Sequence, residues 1–276
     1  MRQLLQTALA AAESAARVHR VWAGRIRSED AREKTAASDY VSRVDTEAQE
    51  AAVARIRSEF PDHPVLAEEE DSGSTAGNEP TGTRPRIRTD RRVPTWVVDP
   101  LDGTTNFLHG HPAYASSVGV VLDGKPIAGA VVAAATGERW WAARDEGAYR
   151  NGDRIRVSRT RELRFALVGT GFPFKLLDRL PEYAQQFQRV LPATSGIRRG
   201  GSAALDLCYL AQGSLDAFWE LQLSGWDIAG GLAILDEAGG VAQSMEGGPL
   251  DPVAGGSVLA GNSPELTSRL EECLRG

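Results

Sequence analysis

The densest run of chemistry-bearing residues in this 276-residue chain is Asp99-Pro100-Leu101-Asp102-Gly103-Thr104-Thr105. It follows directly on the apolar run Trp96-Val97-Val98, so both acids leave the end of a buried strand. Pro100 stiffens the chain and Gly103 permits a tight turn. A helix opening near Thr104 would point its first N–H groups back toward the two carboxylates. Carboxylates with other oxygen donors suit a hard cation such as Mg2+, and clustered N–H groups suit a phosphate. The same residues also make a plain turn with a helix cap, and spacing alone leaves both readings open.

Two further acidic groups carry the same ambiguity. Glu68-Glu69-Glu70-Asp71 follows the short apolar Val65-Leu66-Ala67. Four acids in a row read as a solvated face, whereas a glutamate at a strand end reads as a ligand. Asp227 lies in Gly225-Trp226-Asp227-Ile228-Ala229-Gly230-Gly231 at a helix start, either as a first-turn aspartate or as a third acid of a cation site. His109 and His111 read as polar loop residues after the turn.

The elements that position these residues follow from apolar periodicity. Leu4, Leu5, Ala8, Ala11, Ala12 and Ala15 recur at helical steps, and Trp22 and Ile26 extend the stripe. A second helix is expected to restart at Ser38-Asp39, with Val41, Val44, Ala48, Ile56 and Phe60 on its apolar face and Pro61 ending it. From Val65 the pattern turns to strands: 96–98, 115–122, 126–134, 138–141, 148–149 and 165–169. Helices over 181–190, 203–211 and 226–238 then alternate with strands at 215–220 and 258–260, and Ser263-Pro264 opens a last helix. A helix pair, then a sheet, then alternating elements predicts a layered α/β fold with a loop at 71–94, while length alone allows one large domain or two small ones.

Composition narrows the function class. Thirty-seven acids against 31 bases leave a net charge of −6, the wrong sign for a protein that wraps nucleic acid. Two cysteines, Cys208 and Cys273, are too few for a disulfide framework or a thiolate zinc site. No apolar run approaches the ~20 residues of a membrane span, and the charged N-terminus does not read as a signal peptide, so a cytoplasmic location is expected.

Asp99 to Phe107, together with Trp226-Asp227-Ile228-Ala229-Gly230 and Glu237-Ala238-Gly239-Gly240, resembles the inositol monophosphatase family. Asp39 to Asp45 is similar to that family's early aspartate pair, and Leu66-Ala67-Glu68-Glu69 to its metal-binding glutamate segment. Thr170-Gly171-Phe172-Pro173-Phe174 and Arg198-Arg199-Gly200-Gly201-Ser202-Ala203-Ala204 resemble bacterial members in particular, and the likeness runs from Leu4 to Leu274.

The resemblance implies a single domain over 1–276 with 71–94 as an inserted loop, folded as a layered α-β-α-β-α sandwich, and a phosphatase that uses two or three Mg2+ ions. By the same resemblance Glu68 would hold the first metal and position water, Asp99 would bridge two ions, Asp102 and Asp227 would hold the second, and the Leu101 carbonyl would complete the first. Thr104, bonded to Asp45, would help orient the attacking water, and the N–H groups of Gly103 and Thr104 would hold the phosphate. Gly201, Ser202 and Ala203 would line the sugar-ring pocket with Asp102 and Asp227, and Glu220 would bond inositol hydroxyls. Thr105-Asn106-Phe107 favours inositol 1-phosphate over histidinol phosphate or adenosine bisphosphate, because members acting on those two commonly carry a lysine where Thr105 stands. Fructose 1,6-bisphosphate is a further family substrate. The likeness also implies a homodimer and, as an alternative of another class, an adaptor that binds the transcription machinery, with Arg198-Arg199 in the matching segment. The 71–94 loop is longer than the family pattern, and its Arg84, Arg86, Arg88, Arg91 and Arg92 read either as a basic patch that attracts a phosphorylated substrate or as inert surface charges.

Overall fold

Alanines at 8, 11, 12, 15 and 16 make one face of the first helix so small that the helix lies flat on a sheet, and all five are fully buried. The computed structural model describes residues 1–27, 32–33, 40–71 and 92–276. Lys34, Ser38, Asp39, Arg84, Arg86, Arg88, Arg91 and residues 72–91 of the expected loop lie outside the described residues.

In chain order the elements are α1 (Arg2–Trp22), β1 (Arg32–Glu33), β2 (Tyr40–Val41), α2 (Arg43–Glu59), β3 (Val65–Ala67), α3 (Glu68–Asp71), β4 (Thr95–Asp102) and α4 (Thr104–Leu108). Next come β5 (Ala115–Leu122), β6 (Lys125–Ala133), β7 (Glu138–Ala143), β8 (Gly147–Arg150), β9 (Asp153–Ile155) and β10 (Leu167–Thr170). The chain continues with α5 (Leu180–Ala193), β11 (Gly196–Arg198), α6 (Ala203–Ala211), β12 (Ala217–Leu223), α7 (Gly225–Glu237), β13 (Val241–Gln243), β14 (Gly256–Gly261) and α8 (Pro264–Arg275).

Strands β3 to β9 form a seven-stranded sheet in sequential order, antiparallel except for the parallel β3–β4 pair. A second sheet of five strands has the order β11-β10-β12-β14-β13, and β1 pairs with β2 separately. Helices α1 and α2 cover the outer face of the large sheet, α6 and α7 lie between the sheets, and α5 and α8 cover the far face of the second. The result is the layered α-β-α-β-α arrangement. Because both sheet faces are covered, alternate residues feed different cores: Ala217, Trp219 and Leu221 of β12 face the outer helices, and Phe218 faces the middle layer. Among the described residues no helix is long and apolar enough to cross a membrane.

Two local features place the acidic residues. The first is a bulge in β4, where Asp99 pairs with Ser117 but Asp102 pairs with Ala115, so Pro100 and Leu101 together face Ser116. Residues three apart in a regular strand point to opposite faces; one extra residue brings Asp99 and Asp102 to the same side. The second is the close seating of α7 on the large sheet. A Cβ at Gly129 would lie 2.4 Å from the Gly230 carbonyl oxygen, and one at Gly119 would lie 2.6 Å from the Ala229 Cβ. Only glycine lets the helix approach this closely, and the approach carries its N-terminus to the end of β4.

Several boundaries differ from expectation. The second helix begins at Arg43, not Ser38, because Ser42 caps it and Asp45 returns the bond to the Ser42 backbone; Val41 belongs to β2. The strand carrying the acids spans eight residues rather than three, so Asp99 lies within it. Residues 163–165 form a single 3₁₀ turn ahead of β10, and β9, β11 and β13 are three-residue strands without a readable pattern.

Replacing Gly129 with alanine should overpack the α7 contact and lower stability by about 1–3 kcal/mol, seen as a lower urea midpoint at unchanged m-value. A midpoint equal to that of the unmodified chain would show that α7 does not depend on this approach.

Candidate active site

The strand bulge and the seated helix bring three carboxylates together. One oxygen each from Asp99, Asp102 and Asp227 lies within 4.8 Å of the others, Asp99 buried and the other two half-buried. Each group is oriented by its own donors. Asp99 Oδ1 accepts the Leu101 N–H at 3.0 Å across the bulge. Asp102 Oδ2 accepts the Ser202 hydroxyl at 2.6 Å and the Ala204 N–H at 2.7 Å, which ties β4 to the start of α6. Asp227 Oδ2 accepts the Ser224 N–H at 2.5 Å in a capping box at the start of α7.

Burial and then the neighbouring Asp227 charge raise the proton affinity of Asp102; burial and then Glu68 raise that of Asp227. Carboxylates this close repel one another, and either a proton or a divalent cation relieves that repulsion. The all-oxygen donor set fits Mg2+ better than a soft metal.

Asp45 is fully buried near the start of α2 and serves a neighbouring group. The Ser42 N–H and hydroxyl donate to its Oδ2 at 2.7 and 2.6 Å, and the Thr104 hydroxyl lies 2.9 Å from its Oδ1. That hydroxyl is also 3.0 Å from the Leu101 carbonyl oxygen, so its single hydrogen has two acceptors. Burial pushes the Asp45 pKa up to about 7, opposed by the Ser42 hydroxyl and reinforced by the Glu68 charge. Glu68 opens α3 directly after β3, half-buried, and its charge acts on Asp45, Asp102 and Asp227. Its carboxylate nevertheless stands outside the close group of three. Gln49 of α2 accepts the Glu69 N–H at 2.8 Å and so holds that corner.

The turn after β4 is fixed on its other side. Gly103 has φ +91°, and a Cβ there would lie 2.8 Å from the Ala113 carbonyl oxygen and 3.2 Å from that of Gly201. The Asn106 side-chain NH2 donates to the Ala113 and Gly200 carbonyls at 2.7 and 3.0 Å. Gly201 therefore sits against the turn. Ser202 caps α6 and gives its hydroxyl to Asp102, while Ala203 is the first residue of that helix. Glu220 of β12 is half-buried, and its proton affinity is raised well above the ordinary by burial, then by the Asp227, Asp206 and Asp102 charges. Gly171 makes room for it, since a Cβ there would fall 2.1 Å from its carboxyl carbon. His109 and His111 are exposed on the loop beyond α4.

Some contributing residues escaped the sequence reading. Ser42 and Ser224 were legible as the first positions of Ser-x-x-Asp capping boxes. Asn106 was legible only within the Thr105-Asn106-Phe107 resemblance; its bonds to Ala113 and Gly200 stayed hidden, because those partners lie on other loops. Asp206, buried in the first turn of α6 with its proton affinity raised by burial and by Asp102, looked like an ordinary helix-start acid. Arg199, whose charge acts on Asp206 and Glu220, lies over the Phe172 ring at 4.9 Å.

The inositol monophosphatase family model matches residues 1–275. A protein of Pseudomonas aeruginosa named Nus factor SuhB is 39% identical over 269 residues, covering 95% of this chain and 93% of its own. An inositol-1-monophosphatase of Mesorhizobium japonicum is 38% identical over 224 residues, covering 81% of this chain and 79% of its own. The crystal structure of the extragenic suppressor protein suhB from Bartonella henselae superposes with a TM-score of 0.84 at 34% identity, covering 99% of this chain and 98% of that one. Matched in sequence over nearly its whole length and in fold, the chain belongs to the inositol monophosphatase family, a family of phosphatases.

Proposed function

We propose that this protein is a Mg2+-dependent phosphatase that hydrolyses the phosphate monoester of myo-inositol 1-phosphate to inositol and phosphate. The convergence of Asp99, Asp102 and Asp227 beside the Gly103–Thr104 turn carries the reading. Asp99, the Leu101 carbonyl and Glu68 would hold one Mg2+, with Asp99 shared and Asp102 and Asp227 holding a second. When bound, the metal supplies charge neutralisation for a dianionic phosphate and a lower pKa for the attacking water. Ionised Asp45 takes the Thr104 hydroxyl hydrogen, which turns a lone pair of that oxygen outward to accept from the water, and Glu68 accepts the other proton. The Gly103 and Thr104 N–H groups hold phosphate oxygens. Glu220 bonds ring hydroxyls, and Gly201, Ser202 and Ala203 shape the pocket wall. Histidinol phosphate, fructose 1,6-bisphosphate and adenosine 3′,5′-bisphosphate are the competing substrates within the family.

The relative named as a Nus factor supports a second role, an adaptor for the transcription machinery, for which exposed Arg198 and Arg199 offer a basic pair. Exposed Phe172, Leu177 and Leu180 on the segment after β10 support a homodimer.

Phosphate release from the four esters, with Mg2+ and with EDTA, tests the first reading: inositol 1-phosphate should be preferred, and EDTA should abolish turnover. Asp99→Asn should lower kcat/KM by about a hundredfold or more while leaving an adaptor role intact. Silence on all four esters with Mg2+ bound would favour the adaptor.

Protons and metal compete for the same cluster, which sets a second outcome. A carboxyl such as Asp45, at about 7 folded and about 4 unfolded, binds more protons in the folded state between those values. Its contribution to stability is therefore complete below about pH 4 and lost as pH rises through about 7. Asp102 and Asp227 shift in the same direction. Metal binding relieves that loss, so the rise in melting temperature caused by Mg2+ over EDTA should grow from pH 5.5 to pH 8. A rise independent of pH would contradict the assignment.

A further inference from the structure

His19 lies in the last turn of α1, fully buried, and its Nε2 stands 2.8 Å from the Pro100 carbonyl oxygen. Pro100 occupies the bulge between Asp99 and Leu101. A carbonyl oxygen only accepts, so Nε2 carries the hydrogen and Nδ1 is bare. Among the described residues no hydrogen-bond partner reaches that buried Nδ1. Near a helix C-terminus a histidine ordinarily gains from positive charge. Here burial lowers its pKa to about 4, so the ring is neutral and serves as a donor rather than as a charge. An apolar side chain at this position would avoid the unpaired nitrogen; what the histidine adds is one hydrogen bond to the bulge.

A second bond from the same helix reaches the opposite strand. The buried Ser116 hydroxyl donates to the Ala12 carbonyl at 2.7 Å, and Ser116 is the residue that faces both Pro100 and Leu101. Helix α1 thus grips the bulge from both strands. The His19 ring also meets Phe107 of α4 at 6.0 Å and Tyr114 at 5.9 Å, edge-on to the latter, so it packs against two residues that follow the Gly103–Thr104 turn.

We propose that His19 is a positioning residue for the metal centre: through the Pro100 carbonyl it holds the bulge that turns Asp99, the Leu101 carbonyl and Asp102 to one side. This inference rests on the metal reading given above. It adds a residue whose hydrogen bond goes to the bulge carbonyl, 81 positions away in the chain.

The test is Mg2+ binding by calorimetry to the EDTA-stripped full chain, with the urea midpoint measured in EDTA alongside. His19→Phe keeps a ring against Phe107 and Tyr114 and removes the donor; Mg2+ Kd should rise about tenfold or more. His19→Gln restores an N–H donor and should fall between wild type and His19→Phe. Leu270→Ala, in the core beyond the second sheet, lowers stability without touching α1 and should leave Kd unchanged. Equal Mg2+ affinity in His19→Phe and wild type, or an equal loss in Leu270→Ala, would overturn the proposal and leave His19 a packing residue. If His19→Phe does not fold, Ser116→Ala removes the companion bond and should raise Kd in the same direction; an unchanged Kd there would overturn it equally. A wild-type chain that binds no Mg2+ would instead remove the metal reading itself, and this inference with it.

Discussion

Like charges resist being gathered, and this structure gathers three. At the separations seen among Asp99, Asp102 and Asp227, each pair of full charges would repel by on the order of 3 kcal/mol at the effective dielectric of a protein site. A fold that brings such groups together must hold them rigidly and give them a partner for their charge. In the protein alone that partner is a proton: burial first, then the Asp227 charge for Asp102 and the Glu68 charge for Asp227, makes both bind protons more tightly than ordinary aspartates. In the proposed enzyme it is Mg2+, and the same repulsion becomes the source of metal affinity.

The layers supply the rigidity. The bulge in β4 reverses the normal alternation of a strand, and α1 braces it from behind through His19 and Ser116. Helix α7 brings the third acid from the opposite layer, and it arrives at the right depth because Gly119, Gly129 and Gly230 remove the side chains that would hold it away. Helix α6 closes the remaining side by donating Ser202 and Ala204 to Asp102. Three helices and one strand therefore meet at a single cluster, each held by a small number of short bonds.

The parts of this arrangement that depend on local chemistry were legible in the chain. The acids around Pro100, the glycine of the turn and the aspartate at the start of α7 announced themselves by residue type and spacing. So did the apolar runs of β5 and β6 and the alanine stripe of α1. What stayed hidden depends on distant partners. Helix α2 starts at Arg43 rather than at the Ser38-Asp39 pair because the Ser42–Asp45 capping box fixes its first turn. Strands β9, β11 and β13, three residues each, are defined by their neighbours in a sheet rather than by any pattern of their own. The bulge is a property of the pairing of β4 with β5, and the function of His19 exists only once α1 lies across both.

The central claim is that the Asp99, Asp102 and Asp227 cluster is a divalent-cation site, and crystals grown with Mn2+ in place of Mg2+ test it directly. Anomalous scattering at the manganese edge should give a strong peak within bonding distance, about 2.0–2.4 Å, of oxygens from all three carboxylates. An empty cluster in crystals saturated with Mn2+, or manganese bound only at surface acids elsewhere, would contradict the account.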